Sequence, residues 1–498
     1  MKRSKFSLSN THLMSYDMGW LGVANWFEVL PGDTVQQATS ALVRASPLLA
    51  PVMHPTEVYL HHWFVPNRLI WANWDNFITG GADGKDATVW PHIDLTSVAK
   101  GSLADHLGIS PFSASQAVSF SALPFRAYQM IYDKFYRDED LSHVVTYSDL
   151  NGLDTTTATN MAHVTWQKDY FTTARPWEMK GDAVVVPVGG MAPVVPIKTS
   201  PFTIGWKAFK SGQAALNPTG IGYNSQGTVT GDGGASLGLD PNGLLQADLG
   251  QATGLSVNAL RTALAMQRFE EARARYGSRY VEYLRYLGVK SSDARLQLPE
   301  YLGGGRQTIQ FSEVLQTAGG QGGATDSVGS LKGHGMGAAR TNRYRRFFEE
   351  HGIVMTMMFI RPRTIYAGGA HRGWFRNSRY MYWQPEFQHT GQQQILNKEL
   401  YLNSSSPDGV FGYQDRYDEY RHNYSVISGD FNDTLNYWHM ARNFTAEPVL
   451  NESFVACYPT ERIFAANTSS GADTMYVMVS NSIQARRLLA SKGSSFTS

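Results

Sequence analysis

Apolar and polar positions along the chain fall into short runs broken by turn formers. Val58–Val65, Ala183–Val188, Ile353–Ile360, Phe454–Cys457 and Met475–Ser480 are short and rich in β-branched, aromatic or methionine residues. Each predicts a strand. Loops of tens of residues separate them, and no repeat recurs at a fixed period. Many short strands without regular helix alternation predict a sandwich or jelly roll, not a parallel α/β sheet. One segment reads differently: SVNALRTALAMQRFEEARARYGSRYVEYLRYLG, 256–288. Leu260, Leu264, Tyr276, Tyr280, Leu284 and Leu287 recur at three- and four-residue spacing, which predicts an amphipathic helix. Ser256 is its N-cap, and Gly277 divides it, with Ser278 capping the second part. Arg273, Arg275, Arg279 and Arg285 lie off the stripe, on a face that is either solvated or in contact with nucleic acid or a neighbouring subunit.

Two stretches carry little apolar signal. Residues 207–255 are glycine-rich, small and polar, a composition that buries little apolar surface. AGGQGGATDSVGSLKGHGMGAA, 318–339, reads as a second long loop. The whole chain has 498 residues, 42% hydrophobic and 12% aromatic, but only 17% charged. That is enough for two to four ordinary domains or one elaborated all-β domain. So few charges beside so many aromatics point to surface hidden against partners.

Net charge is +1, so any nucleic-acid footprint must be local. From Arg340 to Arg379 there are nine arginines and two acidic residues, Glu349 and Glu350, with Tyr344, Phe347, Phe348, Tyr366, Trp374 and Phe375 interleaved. Guanidinium with aromatic faces suits single-stranded nucleic acid. It also suits an intersubunit surface. Both ends are basic, through Lys2, Arg3 and Lys5 and through Arg486, Arg487 and Lys492. The N-terminal MKRSKFSLSNTHLMSYDMGW has no apolar core of a signal peptide, and the longest apolar run is too short to span a bilayer. The expectation is a chain made in the cytosol, with no membrane span.

Enzyme signatures are not assembled. GADGK at 81–85 misplaces the first glycine of a phosphate loop, and GHGMG at 333–337 has no strand before it to support a dinucleotide fold. His61 and His62 are adjacent in a predicted strand, so they point to opposite faces and cannot readily share a metal. They read as packed or hydrogen-bonded structural residues. Asp138–Glu139–Asp140 and Asp415–Asp418–Glu419 sit among arginines and tyrosines and read as salt bridges. The lone Cys457 cannot form an internal disulfide and reads as a small buried hydrophobe. No cofactor or metal is expected.

Longer motifs carry a resemblance. HHWFVPNRLIW (61–71), FITGG (77–81), FEVLPGDT (27–34), SALVRASPLLAPVMHP (40–55), LPFRAY (123–128), YRDEDL (136–141) and ARPW (174–177) are joined by RLQLPEYLGG (295–304), PEFQHTGQQ (385–393) and GVFGYQDRYDEYR (409–421). Together they resemble the major capsid proteins of the Microviridae, in their gokushovirus-like form. Leu298 stands where the family usually has arginine, and 207–255 aligns with nothing. The resemblance implies one eight-stranded antiparallel jelly-roll barrel over 1–498, with long inter-strand loops and a few helices. It implies a homo-oligomeric T=1 icosahedral shell around circular single-stranded DNA, assembled in the host bacterial cytoplasm. Other virion proteins, such as a pilot or small internal DNA-binding protein, would be partners.

Within that reading, Lys2, Arg3, Lys5, Arg340, Arg343, Arg345, Arg346, Arg486, Arg487 and Lys492 are the candidate DNA contacts. Residues 207–255 are the family's variable insertion, expected to protrude from the surface, and 256–288 are a helical part of an inter-strand insertion. Tyr223, Asn224, Asp232 and Asp240 are the candidate contacts to a host cell-surface receptor. The competing class is a jelly-roll carbohydrate-binding module or glycoside hydrolase, whose Trp and Tyr would stack on sugars. Particle size separates the two, since a module stays a small oligomer.

Overall fold

A computed structural model describes residues 3–82, 85–181, 297–315, 331–465 and 472–490, with further strands and one helix between 194 and 276. The chain divides into two compact units, residues 1–180 with 271–498, and residues 181–270. The larger unit is built on ten strands: β1 (Ser4–Ser7), β2 (Asn10–Tyr16), β3 (Gly22–Val29), β4 (Thr34–Ala45), β5 (Thr56–Pro66), β6 (Glu300–Leu315), β7 (Leu331–Arg340), β8 (Tyr344–Phe347), β9 (Gly352–Pro362) and β10 (Met475–Arg487). They form one curled antiparallel sheet in the order β1-β10-β4-β7-β6-β5-β9-β3. β2 also pairs β10, and β8 also pairs β4.

The curl arises in β6. Its first half, Glu300–Ile309, pairs β5, and its second half, Gln310–Leu315, pairs β7. One long strand therefore belongs to two layers, β2-β10-β4-β7 and β3-β9-β5-β6, the arrangement of a jelly roll. The sheet has ten strands where eight were expected because β1 and β2 share β10 as partner, and β7 and β8 share β4.

Alternation places the core. Met14, Val43, Val477 and Ala339 of one layer cluster with Val58, Leu60, Met358 and Ile360 of the other. The next residues of β5 and β9, Tyr59, Trp63, Val65, Ile353, Met355, Met357 and Phe359, face the opposite way and are covered by helix α1 (Leu123–Phe135) through Phe125, Tyr128, Ile131 and Tyr132. β9 is buried on both faces, which is why IVMTMMFI reads as an apolar run interrupted by Thr356 alone. α1 is fixed by Arg126, which donates to Asp154 at 2.7 Å and to the carbonyls of Ile70 and Leu150 at 3.0 and 2.9 Å. Burial works to raise the pKa of Asp154, but bonds from Thr157 and Arg126 outweigh it and hold the carboxyl at about 2.

A polar belt crosses the middle of the barrel. Gln37 donates to Thr356 at 3.1 Å, Thr39 to Asn481 at 2.8 Å, Asn481 to Asn10 at 2.8 Å and Asn10 to Asn25 at 3.0 Å. His62 lies between Thr356 (2.9 Å) and Thr341 (3.1 Å). The Thr341 hydroxyl also lies 3.3 Å from the Thr39 carbonyl, and burial keeps the His62 ring neutral.

Three expectations need correction. The glycine-rich GHGMG segment is not loop but strand β7. Its glycines face inward, where a Cβ at Gly333 would lie 2.3 Å from the Ala50 carbonyl and one at Gly335 2.8 Å from Phe311. Phe454–Cys457 is not a strand: Asn451 caps a helical turn, Glu452–Val455, by accepting from the Phe454 N–H. The predicted helix forms as α2, Val257–Tyr276, but Leu260 and Leu264 of its stripe are exposed while Ala263 is buried. The continuation past Gly277 and the strand expected at 183–188 lie outside the described residues. In the smaller unit, Trp206–Phe209, Ile221–Tyr223, Val229–Gly231 and Ala235–Leu239 form a four-stranded sheet.

Candidate assembly and nucleic-acid surfaces

The two layers of the barrel differ on their outer faces. The β3-β9-β5-β6 layer lies under α1, whereas the outer face of the β2-β10-β4-β7 layer is bare among the described residues. Even-numbered residues of β4, β7 and β10 point outward, as the buried–exposed alternation of β7 and β10 and their register with β4 show. Register then places Lys5 beside Arg486, Arg486 beside Thr34, and Thr34 beside Phe347. Arg3 bonds Thr34 at 3.5 Å with its guanidinium 5.1 Å from the Phe347 ring. Arg345 lies beside Gln36, Arg340 beside Ser40, and Arg44 beside Tyr476 and Met336. Among the described residues, no Asp or Glu occupies an outward position of these strands. Lys5, Arg44, Arg340, Arg345 and Arg486 have no ion-pair partner there. Asp473, in the turn before β10, accepts from Ser15 at the rim.

Other sequence candidates are engaged elsewhere. Arg346 pairs with Glu300 at 3.0 Å. Arg487 pairs with buried Asp33 at 3.0 Å and donates to the Glu28 carbonyl at 2.7 Å. Arg343 is exposed in the link between β7 and β8. Lys2, Lys492, Asn224, Asp232 and Asp240 lie outside the described residues, and Tyr223 ends a strand of the smaller unit. The arginine-rich run is not one patch. Arg361 packs against Tyr59 and Phe359, at 5.1 and 5.5 Å, and donates to the Thr165 carbonyl. Arg372 and Arg376 are spent on buried Glu399 and Glu419, at 2.8 and 3.1 Å.

Those ion pairs support a second surface. Trp374 is 84% exposed, and Tyr380, Tyr382, Trp383 and Tyr420 are each about half exposed. The Arg376 guanidinium lies 4.5 Å from the Tyr420 ring and 5.2 Å from Tyr382. Tyr417 takes a left-handed φ of 63° next to this segment, and its hydroxyl donates to the Tyr380 carbonyl at 3.1 Å. Projecting Trp and Tyr around a pinned Arg is the composition of an interface hot spot.

The histidine pair behaves as its alternation requires. His61 faces α1 and contacts the Tyr136 hydroxyl at 2.7 Å, while His62 faces the polar belt. The carboxylate clusters are ion-paired: Asp138 with Lys168, Asp140 with Arg175 at 2.9 Å, Asp415 with Arg275 at 2.7 Å and Asp418 with Arg421 at 3.6 Å. Among the described residues, no group of three or more His, Cys, Asp or Glu is arranged to hold a metal ion. Cys457 is fully buried, and burial pushes its thiol pKa up.

The capsid protein (F protein) family matches residues 1–491. The chain belongs to this family. Its relatives include the capsid protein VP1 of Bdellovibrio phage phiMH2K, 36% identical and covering 86% of this chain and 83% of that protein. The capsid protein VP1 of Chlamydia phage 1 is 30% identical, covering 91% and 89%. That of Spiroplasma virus 4 is 27% identical, covering 91% and 87%. All are Microviridae, as the sequence motifs implied.

For a capsid protein, the bare face and the aromatic surface are the features to explain. Of the ten basic candidates, the structure brings Arg3, Lys5, Arg340, Arg345 and Arg486 onto one face. Sequence reading missed Arg44 and Tyr476 on that face. Their signal was present in the alternation of TVQQATSALVRA and MYVMVSNSIQARR, but only register shows that the two strands are neighbours.

Proposed function

We propose that this major capsid protein assembles as a T=1 icosahedral shell around circular single-stranded DNA, with the bare β2-β10-β4-β7 face turned toward the nucleic acid. The observation that carries the reading is the absence of carboxylates, among the described residues, from an outward face that bears Arg3, Lys5, Arg44, Arg340, Arg345 and Arg486. A chain with nearly balanced charge has segregated its cations there, and polyphosphate is the partner that segregation favours. The aromatic surface around Trp374 is the subunit contact in this reading. Residues 207–255 are the protruding receptor-binding insertion, with Tyr223, Asn224, Asp232 and Asp240 as contacts. Assembly takes place in the host cytoplasm, with a pilot or small internal DNA-binding protein as further partners, and the role is structural, without catalysis.

The test is DNA retention by opened particles as salt rises. Contacts of this kind predict a linear fall of log affinity with log salt, with a slope near 0.7 per phosphate contacted. Replacing Lys5, Arg345 and Arg486 together with alanine should lower that slope by about two. Retention that ignores salt, or a slope unmoved in the triple variant, would contradict the reading.

A further inference from the structure

The bare face is not uniform, and its two ends differ in chemistry. Near Lys5 and Arg486 it is cationic and polar. Along the middle it is small and hydroxylated, with Thr11, Ser40, Ser480 and Ser482. At the other end it turns apolar. Leu13 is 74% exposed, and Tyr476, Met478 and Met336 are 41–48% exposed. Register puts them side by side: Leu13 against Met478, Met478 against Leu42, and Tyr476 against Arg44. Leu13, Ser15, Leu42, Arg44, Tyr476 and Met478 line an open hollow of about 500 Å³.

We infer that this hollow takes unpaired bases of the enclosed strand, stacked on Tyr476 and on the Arg44 guanidinium. The inference rests on the proposed function and adds to it a base site distinct from the phosphate contacts. Charge selects the occupant. Arg44 is exposed without an ionic partner among the described residues; the outward strand positions described carry no carboxylate, and Asp473, at the rim, is engaged by Ser15. An apolar protein segment would cover Leu13 and Met478 but leave Arg44 uncompensated. Single-stranded DNA supplies flat π-faces and phosphates in one chain, and aromatic residues with arginine bind it without regard to sequence. In a duplex the base faces are already covered, so the hollow discriminates for single strands. From 476 to 486 the face spans roughly 34 Å at the usual strand rise. One stretch of several nucleotides can therefore stack at the hollow and meet Arg340, Arg345 and Arg486 further along.

The test is direct ultraviolet cross-linking in intact, DNA-filled particles, followed by mapping of nucleotide adducts onto peptides. Adducts are expected on the peptide bearing Tyr476 and Met478. They should persist in Tyr476→Phe and disappear in Tyr476→Ser at unchanged DNA content. A second readout uses the full-length chain with a thymidylate 15-mer and a duplex of the same length. Tyr476→Ser should weaken single-strand binding roughly five- to a hundredfold at constant salt slope, and leave duplex binding unchanged. DNA-filled wild-type particles with adducts elsewhere on the face but none at the hollow would overturn the inference while leaving the proposed function standing. So would protein–protein cross-links showing a neighbouring copy or another virion protein seated on Tyr476, or equal weakening of single-strand and duplex binding. Particles devoid of DNA would remove the proposed function, and this inference with it.

Discussion

His61 and His62 show how little a residue's identity says before its face is known. Their adjacency looks like a metal pair, yet strand geometry sends one ring under α1 and the other into the polar belt. Burial holds both neutral. The pKa of His61 is lowered to about 4 and that of His62 to about 3, while His54 and His163 are likewise lowered to about 4. In each case burial is the leading cause. Because the folded values lie below the unfolded value near 6.5, the unfolded chain binds more protons between the two. These groups therefore leave stability flat above pH ~6.5 and remove it progressively as pH falls toward ~4. The denaturant midpoint of the chain should drop over that window, and the drop should shrink in His62→Gln. A midpoint unchanged between pH 7 and 5 would contradict this accounting.

At the scale of elements, strands with a one-sided or two-sided apolar pattern were legible in the sequence, and glycine-rich ones were not. Thr56–Pro66, Gly352–Pro362 and Met475–Arg487 announce themselves by β-branched, aromatic and methionine content. LKGHGMGAAR does not, because its inward positions need to be empty: Ala50, Phe311 and Ile309 fill the space a side chain would take. The apolar FVAC run misled for the opposite reason. Burial suits helix and strand alike, and the Asn451 cap decides the matter locally. α1 adds an element whose anchor is ionic. Arg126→Met leaves Asp154 buried without its guanidinium and should cost about 3–5 kcal/mol in thermal or chemical unfolding. The double variant Arg126→Met/Asp154→Leu should recover much of that loss, because removing both charges removes the uncompensated one. Equal destabilisation in the two variants would show that α1 is held by its apolar face alone.

At the scale of the molecule, the family motifs were legible because they are long and ordered, whereas the functional faces depend on pairing between residues hundreds of positions apart. Lys5, Thr34, Phe347 and Arg486 become one row only through the sheet. The aromatic surface is likewise assembled from the 374–383 segment and Tyr420, braced by Arg376. Trp374→Ala should leave folding of the chain unchanged, since the side chain is almost fully exposed, and should weaken assembly by about 1–2 kcal/mol per contact it makes. Light scattering would record a higher critical concentration for particle formation, and wild-type assembly would contradict the assignment. The central claim is that this jelly roll is a shell subunit whose bare face, with no carboxylate at the described outward strand positions, meets the genome. A cryo-electron microscopy reconstruction of DNA-filled particles measures it most directly. The account predicts β2, β10, β4 and β7 on the inner surface, with nucleic-acid density against Lys5, Arg345 and Arg486. The same face found on the outside of the shell, or sealed beneath a neighbouring subunit, would contradict it.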